Sequence, residues 1–122
     1  MELLYKELTE KIIKALFEVF NNLGPGLTEI IYKRAVIEEL NGSKLKFEVE
    51  KNVPIFYKNK KLGLYRLDFI IEEKVILELK VKSGLEPIDE AQVITYLKAT
   101  GYRIGILVNF GAKKLEFKRF IV

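Results

Sequence analysis

Two acidic residues and a lysine stand in neighbouring apolar stretches of this sequence, DFII and KVILELK. Asp68 opens the first stretch, and Glu78 and Lys80 lie in the second. Two carboxylates that converge beside a lysine can bind a divalent cation, which polarises a phosphate and lowers the pKa of a bound water. The lysine would orient that water or stabilise developing charge. The residue types therefore predict metal-assisted hydrolysis.

The turn between the two stretches decides whether the acids meet. A turn over residues 72–74 sets Ile71 opposite Val75 and Asp68 opposite Glu78. Side chains alternate along a strand, so one face of the pair is apolar and the other carries the charges. The predicted apolar face holds Phe69, Ile71, Val75, Leu77, Leu79 and Val81, and the other holds Asp68, Ile70, Ile76, Glu78 and Lys80. Because opposed like charges repel, a cation is expected between the acids.

A solvated strand face is the alternative interpretation of the same residues. Acids and a lysine that alternate with isoleucine are also typical of an edge strand that is charged for solubility. The spacing of Asp68, Glu78 and Lys80 is short and common, so it does not decide between the two interpretations.

Composition limits the chemistry open to such a site. The 122 residues include no cysteine and no histidine, which excludes thiol nucleophiles, zinc–cysteine sites and the commonest general base. A metal held by carboxylates would be magnesium, manganese or calcium. The formal charge of +4 is compatible with a polyanionic partner but does not require one.

The elements that must position these residues follow from the hydrophobic pattern. Helices are predicted over residues 3–22, 27–40 and 88–100, with breaks at Gly24-Pro25-Gly26, Asn41-Gly42 and Gly101. The stripe of the first helix comprises Leu4, Leu8, Ile12, Leu16 and Phe20. Strands are predicted over 45–57, as one strand or two, and over 64–71, 74–81, 102–110 and 115–122. We expect one mixed α/β domain spanning residues 1–122, with a single sheet flanked by helices.

The N-terminal segment and the apolar runs bear on location. MELLYKELTEK mixes acids with apolar residues, which is not typical of a signal peptide. The apolar runs fall short of the ~20 residues that span a membrane. We therefore expect a cytoplasmic protein with no membrane association.

Three motifs together resemble a known family. Asp68 followed by Glu78-Leu79-Lys80 resembles the D…(D/E)-x-K signature of the PD-(D/E)XK nuclease superfamily. The element order resembles the restriction-endonuclease-like α-β-β-β-α-β core of that superfamily. GLTEIIY, over residues 26–32, resembles the motif that names the GxxExxY proteins, a branch of the same superfamily. EAQVITYLKATGYRIGILVNFG, over residues 90–111, resembles their second block. Leu67 stands where the superfamily often has a proline.

The resemblance implies a Mg²⁺- or Mn²⁺-dependent nuclease that hydrolyses phosphodiester bonds of DNA or RNA. It implies that Glu29 reaches the metal directly or through water, beside Asp68 and Glu78, and that the carbonyl of Leu79 completes the shell. Without the resemblance, Glu29 would be interpreted as an acid that complements the dipole at a helix start.

Other site roles also come from the resemblance. Lys80 would act on the nucleophilic water, and Gln92 would bind that water or a phosphate oxygen. Tyr32 and Tyr96 are supporting candidates, since each shares a helix face with a proposed site residue. The alternatives are an exposed amide for Gln92 and a core-edge aromatic for Tyr32.

Two other functions stay open. The first is a catalytically silent module that uses the nuclease fold to bind nucleic acid or a partner protein. The second is a structural subunit whose first helix forms an oligomer surface, so a homodimer is considered as well. Several lysines could contact a phosphate backbone or could simply be solvated: Lys58, Lys60, Lys61, Lys113, Lys114 and Lys118, with Arg119.

Overall fold

The computed structural model describes residues 5–122, and within them the chain forms three helices and five strands. The elements are α1 (Lys6–Leu23), α2 (Glu29–Gly42), β1 (Phe47–Tyr57), β2 (Lys60–Ile71), β3 (Val75–Lys80), α3 (Pro87–Thr100), β4 (Ile104–Asn109) and β5 (Glu116–Ile121). Leu3 and Leu4, which the sequence places in the first helix, lie outside the described residues. Between residues 5 and 122 no helix is long and apolar enough to cross a membrane.

The five strands form one mixed sheet in the order β1-β2-β3-β4-β5. β3 and β4 are parallel, and the other neighbouring pairs are antiparallel. The parallel pair requires a crossover, which α3 provides. The predicted mixed α/β fold with a single sheet flanked by helices is therefore confirmed.

Each face of the sheet is covered by different helices. α1 and α2 pack on the face that carries the predicted apolar set, of which Phe69, Ile71, Val75, Leu77 and Leu79 are buried and Val81 is partly buried. α3 packs on the other face, where Val93 and Leu97 meet Ile70 and Ile76. The charged face is thus half apolar because a helix covers part of it.

The loop before α2 is held by Tyr32. Its hydroxyl donates to the carbonyl of Gly24 (2.5 Å) and accepts from the amide of Leu27 (3.2 Å). Its buried ring stacks on Phe110, with centroids 4.8 Å apart. Gly24 has a φ of 66° and Gly26 a φ of 108°, which favour glycine at these turn positions. The N-terminus of α2 is thereby fixed to the core.

α3 has clear ends. It begins with a capping box in which the Asp89 carboxylate accepts from the amide of Glu86 (2.9 Å), and Pro87 occupies the first turn. It ends at Gly101, whose φ of 84° is that of a left-handed cap, as the sequence predicted. These ends fix which side chains α3 turns toward β3.

The β1–β2 hairpin is one long pair of strands, so the predicted segment 45–57 forms a single strand. Glu50, opposite the position of Asp68, has a left-handed φ of 51° and interrupts the regular pairing there. The chain reverses at Lys58 and Asn59, which both have positive φ.

Candidate active site

β2 and β3 stop pairing where the two acids lie. The last paired residues are Phe69 and Leu77, and the register of Ile71 opposite Val75 is the one that the predicted turn requires. Beyond that point, side chains replace the backbone-to-backbone hydrogen bonds between β2 and β3. The Asp68 amide donates to Glu78 Oε1 (3.1 Å), and the Leu79 amide donates to Asp68 Oδ2 (2.8 Å). The predicted meeting of the acids is thus found at an opening in the sheet.

The environment of Glu78 disfavours its charged form. Burial raises the pKa of Glu78 to about 8, and the negative charge of Asp68 adds to the rise. The hydrogen bond from the Asp68 amide and the positive charge of Lys80 lower the pKa of Glu78, but by less than burial and Asp68 raise it. A cation close to both carboxylates would relieve this repulsion.

Lys80 is held on the α3 side of the site. Its ammonium donates to Gln92 Oε1 (3.0 Å) and lies 4.0 Å from Asp89 Oδ1. Asp89 is buried and also pairs with Lys82 (2.9 Å). Sequence reasoning placed Gln92 toward the site but missed Asp89, which a capping motif in the first turn of α3 could have indicated.

Tyr96 lies one helical turn after Gln92. Burial raises the pKa of Tyr96, with further contributions from the charges of Glu78 and Asp68, which shows that the phenol lies near the acids. Its ring contacts that of Tyr65 on β2, with centroids 4.9 Å apart. Tyr96 therefore joins the site to the β1–β2 hairpin.

Lys33 on α2 is a site residue that sequence reasoning missed. It is only 7% exposed, and its ammonium lies 3.0 Å from Asp68 Oδ1, 3.7 Å from Glu50 and 3.9 Å from Glu29. Burial lowers the pKa of Lys33, but the hydrogen bond and charge of Asp68, with Glu29 and Glu50, outweigh burial and raise it. The spacing of Glu29 and Lys33 predicts only a helix-surface ion pair, so the sequence carried no direct signal.

The structure does not place Glu29 and Tyr32 against Asp68 and Glu78. Glu29 begins α2 with a largely exposed side chain that contacts Lys33. Tyr32 is turned into the core, toward Phe110. Within residues 5–122, no group of three or more acidic side chains is arranged so that it could hold a metal ion. The structure thus brings together Asp68, Glu78, Lys80, Gln92 and Tyr96.

The donor set nevertheless fits a divalent cation. Asp68 and Glu78 supply hard oxygen ligands, which magnesium and manganese prefer. The amide of Leu79 points toward Asp68. In a β-strand the carbonyl of a residue points to the same side as its own amide, so the carbonyl of Leu79 also faces β2. Leu79 can therefore add a third oxygen. Lys33, whose ammonium pairs with Asp68, would compete with a divalent cation for that carboxylate.

Comparisons with known proteins identify the family and the fold. A family model described as the PD-(D/E)XK nuclease superfamily matches residues 6–120. Among solved structures, the chain is similar to the crystal structure of SSO0001, with a TM-score of 0.55 and 22% sequence identity. The similarity covers 95% of this chain and 58% of that one, so this chain spans less than two thirds of the other's length. This likeness shows the fold alone. The search of curated proteins gave no match.

Proposed function

This chain belongs to the PD-(D/E)XK nuclease superfamily, and from that membership we propose that it is a metal-dependent nuclease acting on DNA or RNA. The observation that carries the proposal is the joint placement of two acids and a lysine at the opening between β2 and β3. Members of the superfamily generally use divalent metals, so we also propose Mg²⁺ or Mn²⁺ as the cofactor.

The proposed metal ligands are Asp68, Glu78 and the carbonyl of Leu79. When bound there, the metal would polarise the scissile phosphate and lower the pKa of a water. Glu29 would complete the outer shell through water, which its exposed position at the start of α2 allows. For Glu29 to approach Asp68, the Lys33 side chain, whose ammonium contacts both acids, must move away.

Lys80 and Gln92 are proposed to handle the attacking water. The amide oxygen of Gln92 accepts from Lys80, which aims the ammonium and leaves the Gln92 NH₂ free to donate to a phosphate oxygen. Positioned in this way, Lys80 would orient the nucleophile and offset the negative charge that develops on the phosphate. Tyr96 would border the same space, whereas Tyr32 would support the site by holding the loop before α2.

We further propose that the chain belongs to the GxxExxY branch, on the strength of Gly26, Glu29 and Tyr32 in GLTEIIY. Within that motif, Tyr32 would hold the turn before α2, and Glu29 would reach the acids through water from the start of α2. Residues 1–122 are proposed to form a single domain in a cytoplasmic protein, and a homodimer remains a prediction.

Lys33 favours a second candidate function. A lysine that permanently neutralises Asp68 would make the fold a silent module that binds nucleic acid or a partner protein without hydrolysis. The experiment that separates the two is a manganese soak combined with cleavage assays in Mn²⁺. Anomalous density between Asp68 and Glu78 together with cleavage supports the nuclease. Without such density and without cleavage of single- or double-stranded DNA or RNA, the silent module is the better description.

A further inference from the structure

The outer part of the β1–β2 hairpin, residues 52–66, is largely exposed, and we call it the arm. Val53 is its buried residue, and most of the others are exposed. Four large apolar side chains stand largely in water there: Leu62 (67% exposed), Phe56 and Tyr57 (59% each) and Leu64 (55%). This many exposed apolar groups on one short hairpin mark an interaction surface.

The arm also carries the net charge of the chain. It contains Lys58, Lys60, Lys61 and Arg66 and no acidic residue. The other 17 of the 21 basic residues are balanced by the 17 acidic ones, so residues outside the arm sum to zero. A charge of +4 that is diffuse in the composition is therefore concentrated on one short hairpin, and the complementary partner is a polyanion.

The arm is continuous with the site. Tyr65 of the arm contacts Tyr96, whose phenol lies near Glu78 and Asp68. Arg66 stands two residues before Asp68 on the same strand. The base of the arm, at Tyr65 and Arg66, therefore adjoins the site.

From these observations we propose that the arm binds single-stranded nucleic acid and leads it to the site. Unpaired bases stack on exposed rings such as that of Tyr57, while lysines such as Lys60, which pairs with Tyr57 across the hairpin, contact the phosphates. A duplex keeps its bases stacked on one another, so it would use the lysines and leave the apolar side chains in water. This inference rests on the proposed function of the site. It adds that the nucleic acid is single-stranded and that the arm is the surface that binds it.

A second copy of the chain fits the arm less well. β1 is an edge strand, but Pro54 lacks an amide hydrogen and Glu50 bends the strand, and both features oppose pairing along an edge. Two arms that met would also bring like charges together. The arm is therefore suited to an anion rather than to its own copy.

The test measures fluorescence anisotropy of a labelled DNA or RNA single strand and of the matching duplex, in Ca²⁺ to limit hydrolysis. We expect tighter binding of the single strand. Tyr57→Ala should weaken that binding by about 5-fold to 100-fold, whereas Tyr57→Phe keeps the ring and should bind like the wild type. The exposed position of Tyr57 should leave the melting temperature unchanged in both variants.

A charge series tests the phosphate contacts. Replacing Lys58, Lys60 and Lys61 by glutamine should make the slope of log K against log salt shallower by about two for a single strand. The matched control replaces Lys113 and Lys114, which are exposed lysines outside the arm, and should leave the slope unchanged. Equal slopes for both sets would overturn the proposal.

Other outcomes distinguish the proposal for the arm from the proposal that the protein is a nuclease. Equal or tighter binding of the duplex, or a dimer in sedimentation that Tyr57→Ala dissociates, would overturn the single-strand proposal even if the protein cleaves nucleic acid in Mn²⁺. Loss of single-strand binding in Tyr57→Ala with no cleavage by the wild type would support the arm and contradict the nuclease.

Discussion

Asp68 and Glu78 each accept a hydrogen bond from the backbone of the other's strand, at 2.8 Å and 3.1 Å. The acids therefore take over the role of the missing ladder bonds and hold β2 and β3 together at the opening. Their spacing is set by the strands rather than by a ligand. This arrangement preorganises the site before any metal arrives, at the expense of a buried Glu78 whose pKa is raised to about 8.

Divalent ions should stabilise the wild type. If Asp68 and Glu78 bind Mg²⁺ or Mn²⁺ as proposed, an ion concentration about 100-fold above the Kd adds about 2.7 kcal/mol to the free energy of unfolding. Differential scanning fluorimetry should show a clear rise in melting temperature for the wild type and a far smaller one for Asp68→Asn. Glu38→Gln, which removes an exposed acid on α2, is the control and should respond like the wild type. Equal rises in the wild type and Asp68→Asn would exclude Asp68 as a ligand.

Stability should depend on pH through Glu78. Its pKa is raised from 4.5 to about 8 in the folded protein, so between these values the folded state holds a proton that the unfolded state has lost. The free energy of unfolding should therefore fall as pH rises from about 4.5 to about 8, and change little from this group above that range. Urea titrations in EDTA measure it.

Glu78→Gln removes this titration and provides the matched comparison. Without metal, the variant should be as stable as the wild type or more stable, and its advantage should grow from pH 5 to pH 8 as repulsion builds in the wild type. If the two proteins gave parallel curves, the raised pKa of Glu78 would be wrong. If the variant unfolded, Glu78 would be a structural partner instead of a strained acid.

The core prediction is separate from the chemistry. Leu77 is fully buried under α1 and α2, so Leu77→Ala should cost about 2–5 kcal/mol of unfolding free energy. Leu62→Ala makes the same change at a side chain that is 67% exposed and should be nearly neutral. Similar costs for both, in chemical denaturation, would mean that the sheet does not pack as described.

Lys80 should matter for turnover more than for affinity. Lys80→Met keeps most of the aliphatic stem and removes the charge that is proposed to act in the transition state. We expect near-complete loss of cleavage in Mn²⁺ and binding within a few-fold in Ca²⁺, with Lys113→Met as the control. Surviving cleavage would mean that the acids and their metal suffice. A large loss of affinity would make Lys80 a phosphate-binding residue.

Lys33 should compete with the metal. Lys33→Met removes the ammonium that lies 3.0 Å from Asp68, so the metal-free protein should melt at a lower temperature. The same variant should bind Mn²⁺ several-fold more tightly in calorimetry, because no cation has to be displaced. Arg34→Met removes the neighbouring exposed charge and should change neither quantity. Weaker Mn²⁺ binding in Lys33→Met would show that Lys33 supports the metal site.

Much of the fold could be predicted because its signals are local. The apolar spacing located the helices, and the short turn fixed the register that sets Ile71 opposite Val75. That register alone placed the two acids together. The bend at Glu50 was not predictable, since a left-handed glutamate has no signature in the sequence.

The site was predicted only in part, because contacts between distant elements leave no periodic signal. Lys33 reaches Asp68 from a different helix, 35 positions earlier in the chain. Its burial depends on how α2 crosses the sheet, which the sequence does not state. Asp68, Glu78 and Lys80 were accessible to reasoning because they share one hairpin.

The stack of Tyr32 on Phe110 has a consequence for biosynthesis. Phe110 follows β4, and its amide donates to the carbonyl of Lys80 (3.0 Å), so one residue ties α2 to the strand of the proposed catalytic lysine. Phe110 leaves the ribosome after Glu29, Asp68, Glu78 and Lys80. We therefore expect a nascent chain to lack the packed arrangement of α2 and β3 around the site until residue 110 has emerged.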